Sequence, residues 1–460
     1  MVELVLPKTV VRRNKLDISL GFCNEIDPGR LLSLGPAIEI RVDEAEQLID
    51  FLINDSEEDR VYHVQHLPVR GREWELVSFA RHGRWTIFVS VFSTALACNP
   101  SFADGRRRRL ACGGTRIIGR KSLEGAAHSQ LRGPAEELVE ALRMNLFLSE
   151  AMTGKNLSNG FNIGGSKSLV HVTDESGRGQ VQADEVREFA RFMSYFHNSL
   201  TQSLPIFIGT GSDLNFHEHG EAYYDLCSRV SPNYVGNRQS ARRWGRDTTG
   251  NTTTPTAKGV IACLDAVSQE LNLTGEDRSI LVKGLGGVGL QVAQHHAAQG
   301  WRVHVTEIRR ETREKARIAL PSNVEFVEEK DWSSLPPISL FSPNSSSSSL
   351  TADNLPTFQR LGVKAVLGGE NNIRQKGLDA DTIYQEFGIL TFADYLVNGG
   401  GAWIAGAEMV ERPVDDVADW IQEYQVPTVL DTIALADMNG RSPESLFVDF
   451  IGGKVEELLT

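Results

Sequence analysis

Two lysines lie in a stretch where lysine is unusual. Residues 152–170 are rich in glycine, serine and asparagine, and Lys155 and Lys167 carry the only charges there. A lysine removed from water favours its neutral amine, so its pKa falls toward neutrality and either residue could act as a base. The alternative is that both are surface lysines on either side of a loop. The local sequence supports the two interpretations equally.

An acid and a pair of glycines form a second group of candidates. Asp213 follows the short apolar segment 206–208. An acid at such a strand end is often catalytic in α/β enzymes, although capping a helix is the commoner use. Gly113 and Gly114 come at the end of a predicted strand. Paired glycines there indicate a close approach of the backbone to a ligand or to a neighbouring strand, and the sequence leaves both open.

The third candidate is a dinucleotide-binding motif. Three glycines with G-x-G-x-x-G spacing follow the apolar segment 280–282, namely Gly284, Gly286 and Gly289. They permit a tight turn, a close approach of the backbone to a pyrophosphate, and close packing of the next helix on the sheet. The N-terminus of that helix offers free N–H groups to the phosphates. A second predicted strand, 301–306, ends at Glu307, which can accept both hydroxyls of an adenosine ribose.

The same acid bears on the choice of cofactor. Glu307 would repel a 2′-phosphate, which favours NAD. Arg309 and Arg310 follow closely and could instead accept that phosphate, so NADP remains the alternative.

Several predicted elements would position these residues. Trp74–Ala80 and 85–92 read as a hairpin, and a helix with Pro134 in its first turn leads toward Lys155. A second helix begins near Thr254. Further strands follow Glu307 at 324–327, 338–341, 363–367 and 389–392. Asn371, Asn372 and Asn398 come just after strands, where ligands bind in doubly wound sheets.

Composition limits the class of protein. The net charge of −13 argues against non-specific nucleic-acid binding, and no apolar run is long enough to span a membrane. Five scattered cysteines without a CxxC pair, and an N-terminus too charged for a signal peptide, predict a cytoplasmic protein. His217 and His219 could share a face of an extended segment, but no third ligand lies nearby, so we predict no metal site.

The order of these motifs resembles the glutamate/leucine/phenylalanine/valine dehydrogenase superfamily, and more closely its leucine and phenylalanine branch. The resemblance covers about residues 75–410. It rests on Gly113-Gly-Thr-Arg116, Met152-Thr-Gly-Lys155-Asn, Gly164-Gly-Ser-Lys167, Asp213, Thr256-Ala-Lys-Gly-Val, Gly284-Leu-Gly-Gly-Val-Gly289, Asn371-Asn372 and Asp394-Tyr-Leu-Val-Asn-Gly-Gly400.

The resemblance implies reversible oxidative deamination of an L-amino acid to a 2-oxo acid and ammonia. Lys167 would activate water and Asp213 would relay protons as the catalytic residues. The substrate would be bound by Gly113, Gly114, Lys155, Asn372 and Asn398. The cofactor would be bound by Thr256, Gly284, Gly286, Gly287, Val288, Gly289, Glu307 and Ile308. Small residues around the predicted site favour an apolar or aromatic amino acid, and we expect a homo-oligomer.

The predicted fold is α/β with two domains and C-terminal helices that pack back on them. We expect an N-terminal extension at 1–70, a substrate domain at 71–254, a Rossmann-type NAD-binding domain at 255–405 and a helical segment at 406–460. By composition alone, Ser345–Ser349 is typical of a flexible linker. The resemblance instead implies that these serines lie beside the cofactor. Two other functions remain open: a catalytically silent NAD-binding protein, and an enzyme that reduces or condenses an imine at the same site.

Overall fold

The computed structural model describes residues 4, 37–42, 45–69, 72–92, 109–127, 129–161, 163–174, 176–177, 179–212, 226–227, 231, 233–235, 252–345, 348–409 and 413–459. These residues form two compact units. The first contains the described residues between Lys8 and Asn251 together with Ile404–Val414, and the second contains Thr252–Trp403 and Asp415–Glu457.

The first unit is built on a mixed seven-stranded sheet with strand order β1-β2-β3-β4-β6-β5-β7. The strands are β1 (Ile38–Glu39), β2 (Val61–Val69), β3 (Arg72–His82), β4 (Trp85–Val91), β5 (Arg109–Ile118), β6 (Gly164–Val172) and β7 (Ile206–Ser212). The helices are α1 (Ala45–Asn54), α2 (Arg120–Ala127), α3 (Pro134–Ser158) and α4 (Val186–Ser203). Strands β5, β6 and β7 are parallel, whereas β2, β3, β4 and β6 pair in antiparallel fashion.

Helices cover both faces of this sheet. Val77 and Phe79 share a core with side chains of α1 and α3, whereas Leu76 and Ala80 share a second core with side chains of α4. Alternate residues of a strand point to opposite faces, so β3 is apolar on both sides. The central strands β4 and β6 are therefore buried along their whole length.

The second unit contains a parallel six-stranded sheet with order β10-β9-β8-β11-β12-β13. Its strands are β8 (Ser279–Lys283), β9 (Arg302–Thr306), β10 (Glu325–Phe326), β11 (Leu340–Pro343), β12 (Ala365–Val366) and β13 (Leu390–Thr391). Its helices, with α11 continuing into the first unit, are α5 (Thr253–Glu270), α6 (Gly287–Ala298), α7 (Arg310–Ala319), α8 (Leu355–Leu361), α9 (Ala380–Phe387), α10 (Asp394–Val397), α11 (Gly400–Met409), α12 (Val417–Trp420), α13 (Val426–Asn439) and α14 (Pro443–Leu459).

The strand order of the second sheet reverses at β8, which is the arrangement of a doubly wound fold. The chain leaves β8 toward β9 and β10 on one side and later returns to β11 on the other. Ligands of such sheets bind at the carboxyl ends of the strands at this switch point. The predicted α/β class with a Rossmann-type unit is therefore confirmed.

The largest differences between the predicted domain limits and the compact units concern residues 37–69 and the C-terminal segment. Residues 37–69, expected within an extension, supply β1, α1 and β2 of the first sheet. The predicted C-terminal segment 406–460 is divided, because Ile404–Val414 belongs to the first unit and Asp415–Glu457 to the second. A Cβ on Gly406 would lie 2.5 Å from the ring of Phe161, which shows how closely this segment packs in the first unit.

The local predictions agree more closely. The hairpin from Trp74 is present as β3 and β4, and all four strands predicted after Glu307 occur. Three of them are shorter than expected, and β11 has the expected length but begins two residues later. Within the described chain, no helix is both long and apolar enough to cross a membrane.

Candidate functional site

Lys167 lies in the middle of β6 rather than in a surface loop. The residue is only 4% exposed. Strand alternation places it on the same face as Leu169, which packs with α3. Its carbonyl oxygen accepts a hydrogen bond from Nδ2 of Asn145 at 2.8 Å. The surface-loop interpretation is therefore wrong for this residue.

Lys155 lies half-buried in the last turn of α3, and that turn is fixed to β6. Oγ1 of Thr153 accepts a hydrogen bond from the backbone N–H of Gly165 at 3.1 Å. The Asn156 amide donates to the carbonyl oxygens of Cys112 at 3.1 Å and Gly164 at 2.9 Å. The two lysines therefore belong to one helix–strand arrangement whose backbones are in direct contact.

Gly113 and Gly114 lie on β5, between β6 and β7. A Cβ on Gly113 would lie 1.8 Å from the carbonyl oxygen of Ser166, so this glycine is required by the approach of the neighbouring strand. Gly114 is half-exposed and remains available to a ligand. Burial raises the pKa of the adjacent Cys112 to about 12, so its thiol stays neutral and is a poor nucleophile.

The predicted acid lies outside the described residues. The described part of β7 ends at Ser212, the residue before Asp213, and Ser212 pairs with Thr115 of β5. Oγ1 of Thr115 lies 2.7 Å from Oγ1 of Thr210, which ties the two strands together near this end. His217 and His219 also lie outside the described residues. In the part of the chain that the structure describes, no group of His, Cys, Asp and Glu is arranged to hold a metal.

The glycine motif of the second unit forms a tight turn between β8 and α6. Gly284 has a φ of +84°, and a Cβ on Gly289 would lie 2.0 Å from the carbonyl oxygen of Gly284. Gly287 packs against the side chain of Thr253, and Val288 contacts the position that a Cβ on Gly369 would occupy.

Next to this turn, the backbone is open where a pyrophosphate would bind. Gly286 precedes the first turn of α6, and nothing lies within 4 Å of the place of its Cβ. The turn therefore fits a dinucleotide phosphate, whose oxygens would accept hydrogen bonds from the free N–H groups of the helix.

Glu307 follows β9 and is buried against the glycine turn. It is 5% exposed and accepts hydrogen bonds from the N–H of Leu285 at 2.9 Å and of Arg309 at 2.8 Å. Nε of Arg309 lies 3.6 Å from the same carboxylate. Ile308 is 85% exposed, which is unusual for an isoleucine.

Thr256 links α5 to the segment after β13. Its hydroxyl donates to the carbonyl oxygen of Thr252 at 2.9 Å and accepts from the N–H of Gly401 at 2.9 Å.

Asn372 and Asn398, predicted to bind the substrate, lie after β12 and β13 respectively, and Asn371 precedes the first of them. Asn398 is 5% exposed, and its amide donates to the carbonyl oxygens of Gly369 and Glu370, each at 3.3 Å, and to Oδ1 of Asn371 at 3.0 Å. Asn372 has a φ of +56°, and its N–H donates to Asp394 at 2.6 Å. These contacts fix the turn at 369–372 beside the switch point.

Sequence reasoning missed Glu370. Only 1% of this residue is exposed, and its carboxylate accepts hydrogen bonds from Ser345 and Ser349. The described serines of the Ser345–Ser349 run are therefore part of the fold, and the linker interpretation is wrong for them. An acid directly before Asn371 and Asn372 was the available signal, but nothing local indicated its serine partners.

No family model matches this sequence. The chain is 30% identical over 298 residues to phenylalanine dehydrogenase from Caldalkalibacillus thermarum, covering 63% of this chain and 70% of that protein. It is 28% identical over 276 residues to phenylalanine dehydrogenase from Lysinibacillus sphaericus, covering 58% of this chain and 65% of that protein, which is just under two thirds of its length. Leucine and valine dehydrogenases are also similar.

Solved structures agree on the fold. L-tryptophan dehydrogenase from Nostoc punctiforme superimposes with a TM-score of 0.53 at 17% identity, covering 84% of this chain and 96% of that chain.

Proposed function

Because this chain belongs to the glutamate/leucine/phenylalanine/valine dehydrogenase superfamily, whose members are oxidoreductases acting on CH–NH2 donors, we propose that it catalyses the NAD-dependent oxidative deamination of an L-amino acid. The products are a 2-oxo acid and ammonia, and the reverse reaction is reductive amination. The first unit binds the amino acid, and the second binds the nicotinamide cofactor.

The observation that carries this proposal is the burial of Lys167 in β6 beside the end of α3 that bears Lys155. A lysine removed from bulk water can serve as a base, and the proposal gives Lys167 this role. A lysine on the adjoining helix end supplies a cation for the substrate carboxylate. A base and a carboxylate-binding cation are the groups that an amino-acid dehydrogenase needs.

Each residue then has a role in the chemistry. Lys155 pairs with the carboxylate of the amino acid and orients its α-carbon. NAD, when bound, would supply the hydride acceptor for that carbon, and loss of the hydride leaves an imine on the substrate. Lys167 removes a proton from the water that attacks the imine carbon, and Asp213 carries protons to and from the nitrogen until ammonia leaves. Asn372 and Asn398 shape the turn that borders the nicotinamide side.

NAD is the proposed cofactor. Glu307 directly follows β9, the position from which an acid would accept the hydroxyls of an adenosine ribose, and its charge would repel a 2′-phosphate. NADP is the alternative, since Arg309 and Arg310 are exposed close by. An apolar or aromatic amino acid is the proposed substrate class, and the proposed assembly is a homo-oligomer.

The test is turnover with product identification. The purified protein is incubated with NAD or NADP and a panel of L-amino acids at alkaline pH, and NADH absorbance, ammonia and 2-oxo acid are measured. We expect equimolar formation of the three products with at least one amino acid, and loss of turnover in Lys167→Ala. Binding of NAD without turnover in any of these assays would instead support a silent NAD-binding protein. Imine reduction or condensation would appear as a secondary amine in assays that combine a 2-oxo acid, an amine and NADH.

A further inference from the structure

Glu370 is a buried acid whose carboxylate accepts hydrogen bonds from two residues of one short loop. Its Oε2 accepts hydrogen bonds from the N–H of Ser345 at 3.2 Å, the hydroxyl of Ser345 at 2.5 Å and the hydroxyl of Ser349 at 2.7 Å. Its Oε1 accepts from the N–H of Ser349 at 2.9 Å. A buried carboxylate is costly unless such donors compensate it. One side chain thus holds both ends of the serine run in place.

The loop that Glu370 holds lies against the glycine turn. A Cβ on Gly284 would lie 2.7 Å from the carbonyl oxygen of Asn344, and a Cβ on Gly289 would lie 3.0 Å from the Cβ of Asn344. Oδ1 of Asn344 also accepts a hydrogen bond from the N–H of Gly369 at 2.9 Å. The segment that leads into Ser345 therefore begins beside the glycine turn.

The topology shows which half of a dinucleotide this loop would border. Glu307 follows β9, on one side of β8, and the glycine turn follows β8 itself. Ser345 follows β11 and Glu370 follows β12, both on the other side of β8. If the adenosine ribose binds at Glu307 and the pyrophosphate at the turn, the remaining half extends toward β11 and β12.

We propose that Glu370 is a positioning residue that holds Ser345 and Ser349 beside the nicotinamide end of the cofactor site. This inference rests on the proposed function only in that the second unit binds NAD. The residue acts through the loop and takes no part in the chemistry. The affinity for the nicotinamide half of the cofactor depends on it, whereas the affinity for the adenosine half does not.

The first experiment compares NAD with ADP-ribose, which lacks the nicotinamide, by calorimetric titration of the full chain. Glu370→Gln keeps the volume of the side chain but places an amide N–H2 group against the N–H donor of Ser345. We expect the Kd for NAD to rise about tenfold, as for the loss of a hydrogen bond to a charged group, and the Kd for ADP-ribose to change by less than about twofold. Glu314→Gln, which changes an exposed acid of the same unit, should leave both Kd values unchanged.

A second variant keeps the test decisive if Glu370→Gln does not fold. Ser349→Ala removes one hydroxyl and leaves the backbone donor of that residue in place, so it should weaken NAD selectively and to a smaller extent. Equal losses for NAD and ADP-ribose in a folded variant, or no loss for either, would overturn the proposal. Because both are binding measurements, they stand whether or not the protein deaminates an amino acid.

Discussion

Thr153 and Gly165 hold α3 and β6 at a fixed distance. The N–H of Gly165 donates to Oγ1 of Thr153 at 3.1 Å, and a Cβ on Gly165 would lie 2.2 Å from the backbone nitrogen of Thr153. Lys155 and Lys167 each lie two residues from this contact. The spacing of the two proposed functional lysines therefore depends on a glycine at position 165.

We expect Gly165→Ala to impair both stability and activity. The added methyl group must push the helix from the strand, which costs about 1–3 kcal/mol for overpacking. We also expect kcat/KM to fall by about 100-fold, since a small displacement of positioned groups is costly in catalysis. Urea unfolding and steady-state kinetics measure the two effects. Gly125→Ala, at an exposed position of α2 with open space around it, is the control and should be neutral or slightly stabilising.

Glu307→Gln should weaken NAD binding and reduce discrimination against NADP. The substitution removes a negative charge that would face a 2′-phosphate and weakens the bonds to Leu285 and Arg309. We expect KM for NAD to rise about tenfold, which corresponds to the loss of one charged hydrogen bond. The ratio of kcat/KM for NAD to that for NADP should fall by at least as much. An unchanged ratio would show that Glu307 does not select the cofactor. Glu311→Gln, an exposed acid paired with Lys315, is the control.

Asn398→Ala should loosen the turn at 369–371. The variant removes an amide group that donates to Gly369, Glu370 and Asn371. We expect KM for NAD to rise about tenfold, and a melting temperature lower by several degrees, from the loss of buried hydrogen bonds. Asn439→Ala changes an exposed amide on α13 that bonds within its own helix, and neither value should change there. A loss of stability without any effect on KM would contradict a role for Asn398 in the cofactor site.

The buried, neutral side chain of His197 should make the stability of the first unit depend on pH. Its side chain is buried between β6 and Tyr234, 2.9 Å from the hydroxyl of Ser168, and burial lowers its pKa to about 4 from an ordinary 6.5. Cys227 packs nearby as a neutral thiol, because burial raises its pKa to about 12. Between pH 6.5 and pH 4 the unfolded chain binds a proton that the folded chain does not, so the free energy of unfolding falls as the pH is lowered.

The expected loss from His197 over that window is on the order of 3 kcal/mol. Urea unfolding of the wild type and of His197→Gln between pH 4 and pH 7 measures it. We expect the pH slope to be shallower in the variant, even though the substitution lowers the stability at pH 7. Parallel slopes in the two proteins would show that His197 is not the group that titrates.

Local motifs account for what could be predicted from the sequence. Gly284, Gly289 and Glu307 lie within one strand–helix–strand segment, so their spacing along the chain fixes their spacing in the fold.

The contacts that complete the site join distant parts of the chain. Glu370, which follows β12, accepts a hydrogen bond from Ser345, which follows β11. The N–H of Gly165 in β6 donates to Thr153 in α3. No periodic pattern in the sequence indicates either pair. Residues 61–69 lack a regular alternation, because His63, Gln65 and His66 interrupt the apolar residues and a proline follows at 68. This hid β2 and led to the expectation of an extension. Lys167 could not be assigned to a strand interior from local sequence because glycine and serine surround it.

The central claim is that hydrogen leaves the α-carbon of an amino acid and passes to the nicotinamide. The most direct measurement uses an amino acid deuterated at the α-carbon and determines the mass of the reduced cofactor. We predict one deuterium per NADH formed by the wild type, no labelled cofactor with Lys167→Ala, and release of one ammonia per turnover. Reduced cofactor without deuterium, or none from any α-deuterated amino acid in the presence of bound NAD, would contradict the account.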